Sequence, residues 1–133
     1  MAKIHKLLYF LEFNYLERNE KELTGEDFIK NKFGPTSINL KKYLDKLIQK
    51  GLITSQEDGK GKEIYFSIKD KEYKFEEDVK LELDYLIKKY INMSTKEIAD
   101  LSHEDNPFKV TDDFKIINKQ SVFFRTSDFS VFE

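Results

Sequence analysis

His103, Glu104 and Asp105 are the first residues in the chain that invite chemistry. An imidazole beside two carboxylates offers ligands to a divalent metal, or an acid–base pair. Three adjacent residues in a turn seldom converge on one ion, and a plainer reading fits the spacing better. In it His103 closes the end of a helix, while Pro107 and Phe108 pack on the core. His5 has no partner at helical spacing. With 2 histidines and no cysteine in the chain, thiol nucleophiles and Cys–zinc sites are excluded and no nucleophile–base pair is expected. Asp58-Gly59-Lys60-Gly61-Lys62 lacks the spacing of a phosphate-binding loop and reads as a hairpin tip.

A second candidate is a group of lysines. A helix from Pro35 to Lys50 would display Thr36, Ser37, Asn39, Lys41, Lys42, Lys46 and Gln49, and a hairpin after it would add Lys60 and Lys62. Such side chains reach phosphates and base edges when a winged helix docks on DNA. Against this, Asp45 sits among them, and arginine occurs only at Arg18 and Arg125. The alternative is a solvated lysine face.

These residues must be positioned by elements that the sequence outlines. Lys3–Arg18 reads as one helix with two apolar faces. Ile4, Leu7, Leu8, Leu11 and Tyr15 form one stripe, and Tyr9, Phe10, Phe13 and Leu16 lie largely opposite. A helix covered on both sides belongs at the centre of a domain. Thr24 reads as the N-cap of a short helix from Gly25 to Lys30, with Asp27 in its first turn. Gly34 breaks the chain, Pro35 starts the next helix, and Phe33 is assigned to the core. That helix carries Leu40, Tyr43, Leu44, Leu47 and Ile48 on one stripe and ends at Gly51.

Strands are expected at Leu52–Ser55 and Glu63–Lys69. Glu76–Ile91 is a helix with a stripe of Val79, Leu83, Leu86, Ile87 and Tyr90. Ser94 and Glu97 form a capping box, stapled by Met93 and Ile98, for a helix ending near Ser102. Lys115–Ile117 reads as extended. Asn118 caps a short helix through Arg125 that turns Val122 and Phe123 inward, and Phe129 and Phe132 follow in a polar tail.

The expected fold is thus mainly α with a small β-hairpin, an α+β domain. Its order is winged-helix-like, helix-helix-helix-hairpin, followed by two to three further helices. One domain is expected over residues 1–133, with 112–133 as a C-terminal extension. The 23 basic and 25 acidic residues give a net charge of -2. That balance provides no global attraction to nucleic acid or anionic membrane. No stretch approaches the length of a membrane span and no signal-peptide cleavage site follows the first apolar run, so a cytoplasmic, soluble protein is expected. The 12 phenylalanines and 7 tyrosines suit either a core without tryptophan or a protein interface.

Taken together the motifs resemble a known family. KLLYFLEF, LTGEDF, KFGPTSINL and LIQKGLI, in that order, are similar to the first half of the SocA-like Panacea antitoxin domain. Ser94–Phe108 is similar to the family's helix that ends in a His-acid-Pro-aromatic signature, with Phe108 where tryptophan is usual. The resemblance covers about Lys3 to Lys109. It implies a mostly helical antitoxin, with some phage-associated relatives, that masks a cognate toxin protein by direct contact. It implies no active site and no cofactor, and leaves open a host protease or chaperone as an accessory partner. Thr24, Gly25, Phe33, Gly34 and Pro35, with His103 and Phe108, are the expected partner-binding residues. Lys41, Lys42, Lys46, Lys60 and Lys62 would be the contacts if the chain bound DNA.

Overall fold

A computed structural model describes residues 2–68 and 74–126. The chain divides into two compact units, residues 39–74 and residues 2–38 with 75–133. About half of the chain is helical, and two small antiparallel hairpins accompany the helices. Among the described residues no helix is long and apolar enough to cross a membrane.

The larger unit is built on α1, Ala2–Asn19. The Tyr9–Phe13 face is covered, and the other stripe is covered at Leu11 and Tyr15 but only half-buried at Ile4, Leu7 and Leu8. Tyr9, Phe10 and Phe13 are fully buried, and Leu11, Tyr15 and Leu16 nearly so. The Tyr9 and Phe13 rings stack at 4.4 Å, and Phe10 stacks on Tyr90 at 5.0 Å. Aromatic pairs at these separations add roughly 0.5–1.5 kcal/mol to the burial of their surfaces.

After α1 the chain does not form the expected short helix. Phe28–Asn31 is a strand, β1, and Gly34–Ser37 a second, β2. They pair antiparallel from Phe28↔Ser37 to Asn31↔Gly34, leaving Lys32 and Phe33 at a two-residue tip. Gly34 has φ +121°, a backbone that disfavours any side chain. Pro35 lies inside β2, so α2 begins only at Leu40. The winged-helix-like order is therefore corrected: a hairpin stands where the second helix was expected. Phe33 is also corrected, because it is 73% exposed at that tip.

Further along this unit, α3 spans Glu77–Tyr90 and α4 spans Thr95–His103. The Ser94–Glu97 capping box forms as expected, with Ile98 fully buried behind it. Along α3, Leu86 and Tyr90 face inward, but Ile87 is exposed and Glu82 is buried in its place. The Arg18 guanidinium, 3.1 Å from Glu82, makes that burial tolerable. Pro107 ends nothing by itself; it sits in the first turn of a short new helix, α5, Asn106–Lys109.

Lys115–Ile117 is extended and runs along β1. Lys30 and Phe28 exchange backbone hydrogen bonds with Phe114, Lys115 and Ile117. Asn118 caps a 3₁₀ helix, Lys119–Phe124, by accepting from the Gln120 N–H. Val122 points into the core, but Phe123 is 44% exposed rather than inward. Phe129 and Phe132 lie outside the described residues.

The smaller unit contains α2 (Leu40–Gln49) and a hairpin of β3 (Ile53–Glu57) and β4 (Glu63–Ser67). Leu40 and Leu44 are buried, whereas Tyr43 is half exposed. Gly51 takes φ +71° and closes the helix as expected. At the hairpin tip Asp58 accepts from the Lys60 and Lys62 N–H groups, which holds its carboxyl below the usual carboxylate range.

Candidate functional site

Three arrangements of polar side chains shape the larger unit. The first is Glu12, buried in the middle of α1. Its carboxylate accepts from the backbone N–H groups of Leu23, Thr24, Gly25 and Glu26 at 2.9–3.2 Å, and from the Thr24 hydroxyl at 2.7 Å. Lys119 lies 3.7 Å away and also pairs with Glu22 at 2.8 Å. A carboxylate that collects so many N–H groups is a strong local fastener. It explains why Thr24 does not cap a helix. The amides that a helix N-terminus would leave free are turned onto Glu12 instead.

The second arrangement centres on Asp105, which is fully buried. It accepts from the Tyr9 hydroxyl at 2.7 Å and from Arg125 through two bonds, at 2.9 and 2.8 Å. The Arg125 guanidinium also reaches Asn14 at 2.7 Å and Glu17 at 3.1 Å. Burial, then the Asp105 charge, pushes the Tyr9 hydroxyl well above its usual pKa, so it remains a donor. Asp105 is therefore engaged in holding α1, α5 and the chain after the 3₁₀ helix together. Among the described residues no group of three His, Cys, Asp or Glu side chains could hold an ion. The His103–Glu104–Asp105 run does not converge: Glu104 is exposed while Asp105 turns inward.

The third is an open cleft of about 480 Å³ lined by Lys30, Asn31, Lys32, His103, Phe108, Asp113 and Phe114. The His103 and Phe108 rings stack at 4.9 Å and 16° on its wall. The Lys30 ammonium stands 4.7 Å from the Phe108 ring centroid, a cation–π distance. Phe114 is 70% exposed and takes φ +63°, rare for an aromatic residue, with its N–H bonded to the Lys30 carbonyl. The His103 Nε2 atom is buried and has no hydrogen-bond partner among the described residues.

The expected partner-binding residues separate into groups. His103 and Phe108 meet in this cleft, and Phe33 projects from the hairpin tip that supplies Lys30–Lys32 to it. Gly34 and Pro35 are buried in β2, where Gly34 packs against the Lys6 stem and Ser102. Thr24 and Gly25 face Glu12 and take no part in lining the cleft. Reading the sequence missed Lys30, Asn31, Lys32, Asp113 and Phe114. The available signal was Phe28-Ile29-Lys30-Asn31 before a Gly-Pro pair, a strand-and-turn pattern obscured by the cap-like Thr24.

His5, without a partner on its own helix, accepts the Ser37 N–H at 2.9 Å through Nδ1. Burial, helped by the charge of Lys6, lowers its pKa to about 4. In the smaller unit Lys41, Lys42 and Lys46 lie on α2, and Lys60 and Lys62 at the β3–β4 tip. Lys41 is held by Asp45 at 2.7 Å. Thr36 and Ser37, expected on the same helix, belong to β2.

No curated protein matches the chain. No solved structure matches it either. A family model, described as antitoxin SocA-like, Panacea domain, matches residues 4–109. That interval begins in α1 and ends at the last residue of α5, so it takes in the capping box, His103 and Phe108. The chain belongs to the SocA-like antitoxin family, and residues 4–109 are its Panacea domain.

Proposed function

We propose that this chain is the antitoxin of a toxin–antitoxin pair and neutralises its cognate toxin by direct protein contact. The match of residues 4–109 to the antitoxin family carries this reading. The mechanism is steric. A folded surface covers the working face of the toxin, and no bond is made or broken. The hairpin tip with Phe33, beside His103 and Phe108, is the surface that fits best. It gathers exposed apolar area on a rigid hairpin, which limits the ordering cost of binding. Thr24, Gly25, Gly34 and Pro35 contribute by fixing the backbone that presents it.

Co-expression tests the proposal. The product of the reading frame adjoining this gene, produced alone, halts growth. Production of this chain with it restores growth, and the two proteins purify as a complex. Continued arrest, or separate elution, removes the proposal. A DNA-regulator reading has no comparable support, because α2 follows a strand and not the first helix of a helix-turn-helix.

A further inference from the structure

The cleft at His103 has a chemistry of its own. Lys30 and Lys32 line it with a single acidic residue, Asp113, and their ammonium groups stand over the Phe108 and Phe33 rings, at 4.7 and 5.6 Å. Neither lysine forms an ion pair among the described residues. The stacked rings of His103 and Phe108 form its wall. Phe114, which lines it, is 70% exposed, and Phe33, next in sequence to the lining Lys32, is 73% exposed. They come from the 114–117 segment that runs along β1 and from the hairpin tip.

We infer that this cleft is the anchor point for the toxin, and that it receives an acidic side chain followed or preceded by an aromatic one. The inference rests on the antitoxin reading and specifies its contact. Lys30 and Lys32 hold the carboxylate, and Asp113 limits the pocket to one acid. The aromatic ring of the partner packs on Phe114 and Phe33. The charge match sets which partner is accepted, and the aromatic contact supplies buried area. A basic or purely aliphatic segment fits poorly, because it leaves two amines covered and unpaired.

Two measurements test this. In the first, the isotope-labelled full chain is titrated with acetyl-Glu-Phe-Glu-amide and with acetyl-Lys-Phe-Lys-amide, followed by NMR. The acidic peptide shifts the His103 ring and the amides of 30–32, at least tenfold more tightly than the basic one. Lys30→Glu with Lys32→Glu abolishes the response, whereas His103→Phe, which keeps an aromatic stack on Phe108, retains it at the amides of 30–32. Equal responses to both peptides, or none at the cleft, overturn the inference. In the second, the lysine double variant, shown by thermal melting to be folded, is co-expressed with the adjoining toxin. Arrest by the toxin despite the variant, with rescue by the wild-type chain, supports the inference. Rescue by both overturns it and leaves the antitoxin reading standing. Failure of the wild-type chain to rescue counts against the antitoxin reading itself, and the peptide titration still decides the chemistry of the cleft.

Discussion

The guanidinium of Arg125 grips both carboxylate oxygens of Asp105, Nε to Oδ1 at 2.9 Å and Nη2 to Oδ2 at 2.8 Å. The two residues join α5 to the chain just past the 3₁₀ helix, and both side chains are almost completely buried. Removing one partner of such a pair leaves the other charged and desolvated. Arg125→Ala is expected to cost about 3–5 kcal/mol in urea unfolding. Arg125→Lys rescues only part of this, since an ammonium cannot make the paired contact.

Glu12 offers a second test of buried electrostatics. Its carboxylate is the acceptor for four successive backbone amides, from Leu23 to Glu26. Glu12→Ala strands those amides, with an expected loss of about 2–5 kcal/mol; Lys119 keeps its pair with Glu22. Glu12→Gln keeps one acceptor oxygen and is expected to fall between the variant and wild type. Hydrogen exchange at 23–26 reads the local effect directly, and unchanged protection there contradicts it.

Phe33 and Phe10 make a contrasting pair. Phe10 is fully buried against Tyr90, whereas Phe33 stands out at the hairpin tip. Phe10→Ala is expected to destabilise by about 3–5 kcal/mol through the cavity it leaves. Phe33→Ala is expected to change stability by less than about 0.5 kcal/mol. Toxin neutralisation by the folded Phe33→Ala chain should nevertheless weaken. Thermal melting and the growth assay separate the two effects.

Glycine substitutions test the turn geometry. A Cβ on Gly34 would stand 2.7 Å from the Lys6 Cε and 3.0 Å from the Ser102 Oγ, at φ +121°. Gly34→Ala is expected to cost at least about 1–3 kcal/mol in backbone strain alone. At Gly25 an added Cβ meets nothing within 4 Å, so Gly25→Ala carries only the penalty of φ +80°. Comparing the two denaturation midpoints isolates the steric part.

His5 provides the pH dependence. Its pKa is lowered from 6.5 to about 4 in the fold. The unfolded chain therefore binds a proton that the folded chain refuses. The stability from neutral His5 is complete above pH 6.5 and is lost as pH falls toward about 4. His5→Asn, which retains an acceptor for the Ser37 N–H, is expected to flatten this part of the melting temperature–pH curve. An unaltered slope in the variant means that other groups set it.

Much of the fold was legible because it depends on local periodicity and capping. The two-faced pattern of Lys3–Arg18 announced a central helix, and α1 buries its Tyr9–Phe13 face together with Leu11 and Tyr15 of the other, while Ile4, Leu7 and Leu8 are half-buried. Ser94 and Glu97 announced a capping box, and both of its hydrogen bonds form. The order of KLLYFLEF, LTGEDF, KFGP and the His103–Phe108 run determined the family. What tertiary structure alone decided is where competing local signals were settled by distant groups. Thr24 reads as a helix cap, but Glu12, 12 residues earlier, takes the amides that a helix would need. Phe28–Asn31 then gains an edge partner in the 114–117 segment, far along the chain, and becomes a strand. Phe33, apolar by type, is exposed because a two-residue tip has no interior side. The cleft follows from the same cause. His103 and Phe108 were readable as neighbours, but Lys30, Lys32 and Phe114 reach them only once β1 has formed, since hydrogen bonds between remote backbones leave no trace in local spacing.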